Sequence, residues 1–437
     1  MKSPLAILAA TLVLALSPTL PGRDLQPKPD DAFFARYEIA AAPEPDGLLL
    51  RPGDRLAICG DSITEQRLYS VLLEAYLTAC LPELGLSVRQ FGWSGEQASG
   101  FLGRMTNDVL RFQPTLATTC YGMNDHRYVP YADEIGALYR EKMTGIARAF
   151  KAAGTRLVIG SPGTIDSVPG WVQSATGTKE DLNDSLCRLR TIGIEIARTE
   201  QTQFADIWWP MMEATFAARK HGPEFAVSGK DGVHPGWAGH VVMASAFLHA
   251  LGVNGDLGTI AVDLPANSVA TTSGHTATAA GEGRIEITSE RWPFCAPAGP
   301  LDKDDSVRAG MALCDFDARF NRLILKVSGL SGPAADVSWG AVTKRFPAEE
   351  LSQGINLAAA FPVSPFSDAF AGVWKAVAAK QEYETRQMQA LMHGPEGETD
   401  MEATVALTEK TRDCRVESVR QSRRPLTHTL IIRPVSA

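Results

Sequence analysis

The side chains best suited to catalysis occur in four short segments within the first 240 residues. GDSIT contains Ser62, WSGEQ contains Gly95, GMND contains Asn124, and DGVHP contains Asp231 and His234. A serine hydroxyl is a weak nucleophile until a base such as histidine takes its proton, and a carboxylate can hold that imidazole in one tautomer. A glycine N–H and a carboxamide can donate hydrogen bonds to the negative charge that develops on a carbonyl oxygen. Together these residue types are the parts of an acyl-transfer site.

Each of these residues also has a purely structural interpretation. Gly-Asp-Ser by itself is more often a helix cap or a turn than a nucleophile site, since Ser and Asp are preferred N-cap residues. Gly95 fits a loop glycine, Asn124 fits an Asx turn, and His234 fits a structural histidine. The catalytic interpretation therefore depends on whether the fold brings all four segments together.

Two neighbouring residues have predictions of their own. Asp61 is expected to be structural, with its carboxylate accepting hydrogen bonds from N–H groups of the turn. His126, which follows GMND, is expected at the rim of the site rather than as a second base. Asp61, Asp231 and His234 belong to no larger His/Asp cluster, so the sequence predicts neither a metal ion nor another cofactor.

The elements that must position these segments follow an alternating pattern of short apolar runs and longer amphipathic ones. The runs typical of strands are 55–59, 86–91, 115–121, 155–160 and 202–207, and those typical of helices are 65–81, 96–111, 133–153, 179–200, 208–220 and 236–251. This alternation predicts βαβ crossovers and a parallel sheet covered on both faces. Ligands bind beyond the carboxyl ends of such strands, which is where the four segments fall.

After Gly258 the pattern changes to short alternating strands separated by Gly, Pro and Asp, which predicts an antiparallel β unit. A long helix is predicted at about 367–391, with an apolar stripe that includes Trp374, and residues 428–435 are expected to return to the β unit as a last strand. Three roles stay open for this region: a substrate-binding accessory domain, a dimer surface, or a brace on the catalytic domain. The apolar stripe favours the brace.

The first 22 residues have the pattern of a signal peptide, because Lys2 precedes an apolar run at 5–16. That run is shorter than the about 20 apolar residues that a membrane-spanning helix needs. We therefore expect a secreted or periplasmic protein, the alternative being a disordered apolar start, since no A-x-A cleavage site follows. The predicted organisation is a signal peptide at 1–22, a lead-in segment at 23–48, a catalytic domain at 49–257, and a β-rich accessory region at 258–437.

The composition argues against several classes of partner. The 437 residues are 45% hydrophobic and 21% charged, with a net charge of −8, which is ordinary for a soluble globular protein. The chain has no Lys/Arg cluster that would suggest nucleic acid and no polybasic helix that would suggest an anionic membrane surface. The seven cysteines form no C-x-x-C pair and no zinc spacing. A pairing of Cys295 with Cys314 in an oxidising compartment is left open.

The ordered set GDSIT, SG, GMND and DGVHP resembles the SGNH, or GDSL-type, esterase and lipase superfamily over about residues 50–253. The resemblance implies a flavodoxin-like three-layer α/β sandwich built on a parallel sheet. It also implies that Ser62 is the nucleophile, with His234 as its base and Asp231 as the partner of that base. The oxyanion hole would consist of the Ser62 N–H, the Gly95 N–H and the Asn124 side chain.

Two features depart from the family pattern. Gln90 stands where members often have asparagine, so the support around the second segment is expected to differ. The region after Gly258 is absent from minimal members, and the resemblance implies nothing about its role.

The resemblance and the export pattern together predict a secreted serine esterase that removes small acyl groups, acetyl among them, from a carbohydrate. The partner would be a small-molecule or polysaccharide ester. Loop aromatic residues agree with a sugar substrate, although packing explains each of them equally well; they are Trp93, Tyr128, Trp171 and Trp237. The alternatives are a lipase, thioesterase or acyltransferase that uses the same residues and, from a different class, a non-catalytic carbohydrate-binding module.

Overall fold

The structure of the protein, a computed structural model, describes residues 24–272 and 274–435. The predicted signal peptide at 1–22 lies outside the described residues. Among the residues that the structure describes, no helix is both long enough and apolar enough to cross a membrane.

A parallel sheet forms the centre of the first half of the chain. Its strands are β1 (Arg55–Gly60), β2 (Ser87–Gly92), β3 (Leu116–Cys120), β4 (Arg156–Gly160) and β5 (Gln203–Ala205). They are hydrogen-bonded in the order β2-β1-β3-β4-β5, and nearly all their residues are buried, as expected when helices cover both faces of a sheet. This order is that of flavodoxin-like sheets, and it confirms the predicted α/β fold class.

Helices cover both faces of this sheet. They are α1 (Ala32–Ala35), α2 (Ser62–Glu65), α3 (Tyr69–Cys80), α4 (Ala98–Asp108), α5 (Asp133–Ala152), α6 (Lys179–Glu200), α7 (Trp208–Ala218) and α8 (Trp237–Ala250). Helices α4, α5 and α6 pack side by side, as do α3, α8 and α7. Successive strand residues point to opposite faces, so Ile58 joins one apolar core and Cys59 joins the other.

The lead-in residues fold back onto this half of the chain. The ring of Phe34 is fully buried at 5.4 Å from Trp209, and the ring of Tyr37 lies 5.2 Å from Trp208. Lys28 Nζ donates hydrogen bonds to the carbonyl oxygens of Phe34 and Tyr37 at 2.9 and 2.7 Å. From residue 24 onward, the lead-in segment is therefore packed against the sheet and its helices.

The helix predicted at 65–81 forms only from Tyr69, because the chain makes a short turn before it. Helix α2 ends at Glu65, and α3 begins only at Tyr69. Between them Arg67 adopts a left-handed conformation with φ of 59°, which interrupts the helical hydrogen bonding. The Arg67 guanidinium group donates to the Glu65 carbonyl oxygen at 2.9 Å, and so satisfies one of the acceptors that the break leaves free.

Two further sheets follow the last helix of this half. Their strands are β6 (Asp256–Asp263), β7 (Ser268–Thr271), β8 (His275–Ala279), β9 (Arg284–Ser289), β10 (Arg322–Ser328), β11 (Ala334–Trp339), β12 (Val342–Pro347), β13 (Ile355–Asn356) and β14 (Leu426–Val435). The smaller sheet has the order β13-β10-β6-β7 and the larger one the order β12-β11-β14-β9-β8. The larger sheet is antiparallel throughout, as predicted, whereas β6 and β10 pair in parallel.

The helices of the second half include a long hairpin that reaches back to the first half. They are α9 (Val307–Leu313), α10 (Phe316–Phe320), α11 (Ala348–Gln353), α12 (Leu357–Ala360), α13 (Ser367–Arg386), a π-helix (Gln387–Met392), α14 (Pro395–Thr399) and α15 (Met401–Ser422). We call residues 367–422 the helical arm. Helix α13 buries Phe370, Val373 and Val377 and packs against α3 and β2, which supports the brace role.

The seven cysteines all lie in the described part of the chain, and each is an unpaired thiol there. The pairing left open between Cys295 and Cys314 is not formed. Cys295 Sγ lies 3.7 Å from the Ser364 hydroxyl oxygen, and Cys314 Sγ lies 3.2 Å from the Ser245 hydroxyl oxygen.

A chain of buried hydrogen bonds links strands of the two C-terminal sheets. Trp339 Nε1 donates to His428 Nδ1 at 3.0 Å, and His428 Nε2 lies 3.0 Å from Ser289 Oγ. That hydroxyl lies 2.8 Å from His275 Nδ1, and His275 Nε2 lies 2.8 Å from the Leu257 carbonyl oxygen. The Trp339 N–H makes His428 Nδ1 an acceptor, and the Leu257 carbonyl makes His275 Nε2 a donor. Burial lowers the pKa of both imidazoles, so each is neutral at pH 7 and has one donor and one acceptor nitrogen.

This chain predicts a loss of stability in acid. Burial, with a smaller effect from His275, lowers the pKa of His428 to about 3. Between the ordinary histidine pKa of about 6.5 and pH 3, the unfolded chain therefore takes up a proton that the folded chain excludes, and stability falls by up to about 1.4 kcal/mol per pH unit from this residue. Urea unfolding of wild type and His428→Phe from pH 7 to 4 should show a shallower pH dependence in the variant. The exposed His249, changed to Phe, is the matched control, and equal slopes in His428→Phe and wild type would contradict the argument.

Candidate active site

The first candidate residue lies where β1 ends and the chain turns into α2. Asp61 is the N-cap of α2, and its Oδ1 accepts a hydrogen bond from the Ile63 N–H at 3.0 Å. This is the structural role predicted for Asp61. Ser62 is the first residue of the helix, where backbone N–H groups lack intrahelical acceptors. The turn thus presents a hydroxyl and free N–H groups at the carboxyl edge of the sheet.

Three side chains from two distant segments form a continuous hydrogen-bonded line. Ser62 Oγ lies 2.8 Å from His234 Nε2, and His234 Nδ1 lies 2.7 Å from Asp231 Oδ2. Since an ionised carboxylate only accepts, the imidazole Nδ1 carries a hydrogen and Nε2 is free to accept the serine proton. Ser62 and His234 are both partly exposed, so small molecules can reach the line.

The loop before α8 holds the carboxylate and the imidazole in register. Asp231 Oδ1 accepts hydrogen bonds from the backbone N–H groups of Val233 and His234 at 3.0 and 2.9 Å. The second oxygen of the same carboxylate is thereby aimed at the imidazole. The spacing of three residues allows one carboxylate to bind both the backbone and the side chain of the histidine.

Residues 93–96, which we call the Gly95 turn, follow β2. The Glu96 N–H donates to the Trp93 carbonyl oxygen at 3.2 Å, and Gly95 has a φ of 71°. A positive φ at this position of a four-residue turn favours glycine, because it has no side chain to clash. The Ser94 N–H donates to Glu65 Oε2 at 2.5 Å. The turn is therefore tied directly to the helix that Ser62 begins.

The Asn124 carboxamide faces the Gly95 turn. Its Nδ2 donates to the Glu96 carbonyl oxygen at 3.1 Å, and its Oδ1 accepts from the Tyr128 hydroxyl at 3.3 Å. The backbone carbonyl of Asn124 also accepts from the Gln97 side chain at 3.0 Å. These bonds join separate loops, so the side chain does more than close its own Asx turn. A carboxamide has two donor hydrogens, so one remains for another acceptor.

The prediction for His126 is wrong, because its side chain is fully buried rather than at the rim. Its Nδ1 lies 2.5 Å from the Met123 carbonyl oxygen, and its ring packs 4.6 Å from that of Tyr128. Burial lowers the pKa of His126 to about 4. It is a neutral packing residue under the loop that carries Asn124. The prediction failed because polar side chains are usually exposed, and nothing in the local pattern indicates that this loop folds inward.

Comparisons with known proteins identify a family that matches a large part of the chain. Residues 58–242 match the GDSL-like Lipase/Acylhydrolase family. An acetylxylan esterase from Geobacillus stearothermophilus is 26% identical over 219 residues, covering 46% of this chain and 94% of that esterase. Residues 58–242 therefore form a hydrolase domain of the SGNH, or GDSL, type. With this domain the protein is a carboxylic ester hydrolase.

The fold likeness of this hydrolase also includes its C-terminal region. A gut microbial diltiazem-metabolizing enzyme of known structure superposes with a TM-score of 0.71 at 20% identity, covering 88% of this chain and 98% of that one. At this identity the match shows a shared fold. The second half of the chain is thus part of an architecture that is found elsewhere.

The carboxyl groups near the SGNH hydrolase site have contrasting environments. Burial raises the pKa of Asp61 to about 7 and that of Asp125 to about 6. Burial alone would also raise the pKa of Asp231, but hydrogen bonds from the backbone of His234 and Val233 and from the imidazole lower it below its ordinary value. Of these three carboxyls, only Asp231 has a pKa below its ordinary value, which suits the partner of an imidazole that becomes positively charged.

The sequence reasoning missed the role of Glu65 and the approach of the loop 161–178, whereas Trp171 was among the loop aromatic residues that it named. Glu65 holds the Gly95 turn, although its spacing of three residues after Ser62 matched a simple helix-capping pattern. The loop 161–178 approaches the histidine, because the Asp166 N–H donates to the Gly232 carbonyl oxygen at 2.9 Å. This loop places the half-exposed ring of Trp171 5.8 Å from the imidazole of His234.

The hydrolase has no evident metal centre in the part of the chain that the structure describes. There, no three His, Cys, Asp or Glu side chains are grouped so that they could hold a metal ion.

Proposed function

We propose that the protein is a serine esterase that hydrolyses small acyl esters, acetyl esters in particular, on a carbohydrate. The observation that carries the proposal is the line from Ser62 Oγ through His234 to Asp231, with contacts of 2.8 and 2.7 Å. A nucleophile, a base within hydrogen-bond reach and a group that orients the base are the requirements for an acyl-enzyme mechanism.

The proposed reaction has two halves. In the first, Ser62 Oγ attacks the ester carbonyl carbon while His234 Nε2 takes the serine proton, and the imidazolium is stabilised by Asp231. The tetrahedral intermediate then expels the alcohol, which receives that proton from the imidazolium. In the second half a water molecule replaces the alcohol, His234 takes a proton from the water, and the carboxylic acid leaves as Ser62 is regenerated.

Three donors are proposed to stabilise the negative oxygen of each tetrahedral intermediate. They are the N–H of Ser62 at the start of α2, the N–H of Gly95 and the remaining hydrogen on Asn124 Nδ2. The fixed orientation of the carboxamide between Tyr128 and Glu96 supports this role. A single donor of this kind typically contributes about 2.7–4 kcal/mol to lowering the barrier.

The choice of an acetyl ester on a sugar has two supports. One relative is an acetylxylan esterase. In addition, the Trp171 ring is 51% exposed and is steadied by the Tyr128 ring at 5.7 Å, beside the imidazole of His234. An exposed aromatic face at this distance from the reacting groups suits the apolar face of a sugar ring.

The proposed contact between the Trp171 ring and the sugar can be tested by changing Trp171. Trp171→Ala should raise KM for an acetylated xylo-oligosaccharide roughly 3- to 10-fold, since a ring contact is typically worth about 0.5–1.5 kcal/mol. The KM for p-nitrophenyl acetate should change little, because that ester has no sugar. Trp171→Phe, which keeps a ring, should recover part of the affinity. Equal changes in KM for both substrates would contradict a sugar contact at Trp171.

The function itself is tested by comparing p-nitrophenyl acetate with p-nitrophenyl palmitate, and then acetylated with deacetylated xylo-oligosaccharides. Preferential cleavage of the acetate and release of acetic acid from the oligosaccharide are expected. Preference for palmitate would move the proposal to a lipase. No cleavage of any ester would favour the carbohydrate-binding module.

We also propose that the enzyme acts outside the cytoplasm. The support is the signal-peptide pattern of residues 1–22. Expression of the full sequence followed by fractionation and N-terminal sequencing tests this. Recovery of a shortened chain from the periplasm or medium is expected, and an uncleaved chain found only in the cytoplasm would oppose it.

A further inference from the structure

The far end of the helical arm contacts the Gly95 turn. Gln389, in the π-helix, donates from Nε2 to the Gly92 carbonyl oxygen at 3.3 Å. The His393 ring, directly after the π-helix, meets the Trp93 ring edge to face at 5.0 Å. Gly92 and Trp93 are the residues through which β2 enters the turn. π-helices are rare and recur at functional sites.

A network of polar side chains, buried except for the partly exposed His393, leads to the back of the turn. His393 Nε2 lies 2.8 Å from Asp108, and Asp108 accepts from Arg104 at 3.3 Å. Arg104 binds both carboxylate oxygens of Glu96 at 2.6 and 2.7 Å. The backbone carbonyl of Glu96 is the acceptor for Asn124 Nδ2. The network therefore ends on the residue that fixes the carboxamide.

The junction between β2 and α2 has little freedom to absorb a shift. A Cβ atom on Gly92 would lie 2.3 Å from the Glu65 nitrogen. Gln90, earlier in β2, donates from Nε2 to the Thr64 carbonyl oxygen at 2.8 Å and accepts from the Thr385 hydroxyl of the arm at 3.3 Å. The position that departs from the family pattern is therefore a contact between the arm and the helix that Ser62 begins.

We propose that the helical arm positions the oxyanion hole, with Gln389 and His393 as its positioning residues. Neither side chain touches the reacting atoms. Both hold the Gly95 turn in the geometry that receives negative charge. His393 also acts through Asp108, Arg104 and Glu96 on the Asn124 carboxamide. The inference rests on the proposed function. It gives the C-terminal region a role in stabilising the transition state of ester hydrolysis.

The test compares the double variant Gln389→Ala/His393→Ala with wild type on p-nitrophenyl acetate. We expect kcat to fall roughly 10- to 100-fold, while KM changes less than about threefold, because a displaced oxyanion donor weakens binding of the transition state more than of the ester. Replacing His393 with Gln instead of Ala keeps a donor for Asp108, so kcat should fall less. The matched control is Gln421→Ala/His249→Ala, which changes the same residue types at exposed positions away from the turn.

Active-site titration with diethyl p-nitrophenyl phosphate separates positioning from folding. A role in folding alone would lower the fraction of titratable sites and leave the phosphorylation rate constant of the intact sites unchanged. A positioning role predicts an unchanged fraction of titratable sites and a lower phosphorylation rate constant. Its effect on the rate should also overlap with that of Asn124→Ala, so the variant that combines both changes should lose less rate than the product of the two separate losses. A full product, or an unchanged rate constant, would overturn the inference.

The outcome for the arm is distinguishable from the outcome for the function. If wild type cleaves the acetate and Ser62→Ala does not, the esterase stands whatever the arm variants do. Wild-type kcat in Gln389→Ala/His393→Ala would then overturn the positioning role alone. Absence of Ser62-dependent cleavage would overturn the proposed function and the inference with it.

Discussion

Replacing Ser62 with alanine is expected to lower kcat/KM for p-nitrophenyl acetate by at least about 10⁴-fold, since the residual rate then depends on the oxyanion donors and substrate binding alone. The Ser62 hydroxyl is 2.8 Å from His234 Nε2, and no other group occupies that position relative to the imidazole among the described residues. The measurement is steady-state hydrolysis with protein whose thermal midpoint matches that of wild type.

Non-additivity gives this prediction a second check. His234→Ala should cost about as much as Ser62→Ala, and the double variant should lose little more, because the two side chains act as one unit. Ser99→Ala, an exposed serine on α4, is the control and should retain wild-type activity. Substantial activity in Ser62→Ala would show that Ser62 is not the nucleophile. If the losses of Ser62→Ala and His234→Ala multiplied in the double variant, the two side chains would not act as one unit.

The second large effect concerns the buried ion cluster that attaches the helical arm. Lys380 Nζ lies 2.7 Å from Glu384 Oε1, 3.2 Å from Glu74 Oε1 and 2.8 Å from the Val88 carbonyl oxygen. The side chains of Lys380, Glu74 and Glu384 are each at most 4% exposed. Lys380→Met should therefore lower the free energy of unfolding by about 3–5 kcal/mol at pH 7, because it leaves buried carboxylates with too little positive charge.

The pH dependence of this loss has a definite sign. Burial raises the pKa of Glu74, and Lys380 partly opposes that effect; burial acts in the same direction on Glu384, but there Lys380 and Arg412 prevail and lower the pKa. Without the ammonium group both carboxyls protonate more readily, so the deficit of Lys380→Met should shrink between pH 7 and 5. Urea unfolding at several pH values measures it. Lys375→Met, an exposed lysine on the same helix, should stay within about 0.5 kcal/mol of wild type, and an equal change in both variants would contradict the argument.

Local signals in the sequence were sufficient to predict the central sheet and the residues brought together at its edge. Apolar runs of strand length, alternating with helical patterns, predicted the parallel sheet, and the carboxyl-edge rule then collected Ser62, Gly95, Asn124 and His234. The break at Arg67 was not predicted, because a left-handed arginine carries no local signature. The parallel pairing of β6 with β10 was missed for a related reason, since alternation of apolar residues does not encode strand direction.

The contacts of the helical arm could not be predicted from local sequence patterns, because they join residues that are far apart in the chain. Gln389 and Gly92 are almost three hundred residues apart in sequence, and Lys380 and Glu74 are similarly distant. The apolar stripe of α13 predicted that the helix packs against something. It carried no information about which surface it packs against, because a buried lysine and two buried glutamates are recognisable as partners only once the fold has joined them.

The place of β14 in the larger sheet has a consequence for how the protein is made. This strand is inserted between β9 and β11, so both of those strands keep an open edge on the ribosome until residues 426–435 have been synthesised. Open edges of this kind invite pairing with other chains. A nascent or prematurely terminated chain is thus the form most in need of a chaperone, and this exposure ends only when β14 pairs with both β9 and β11.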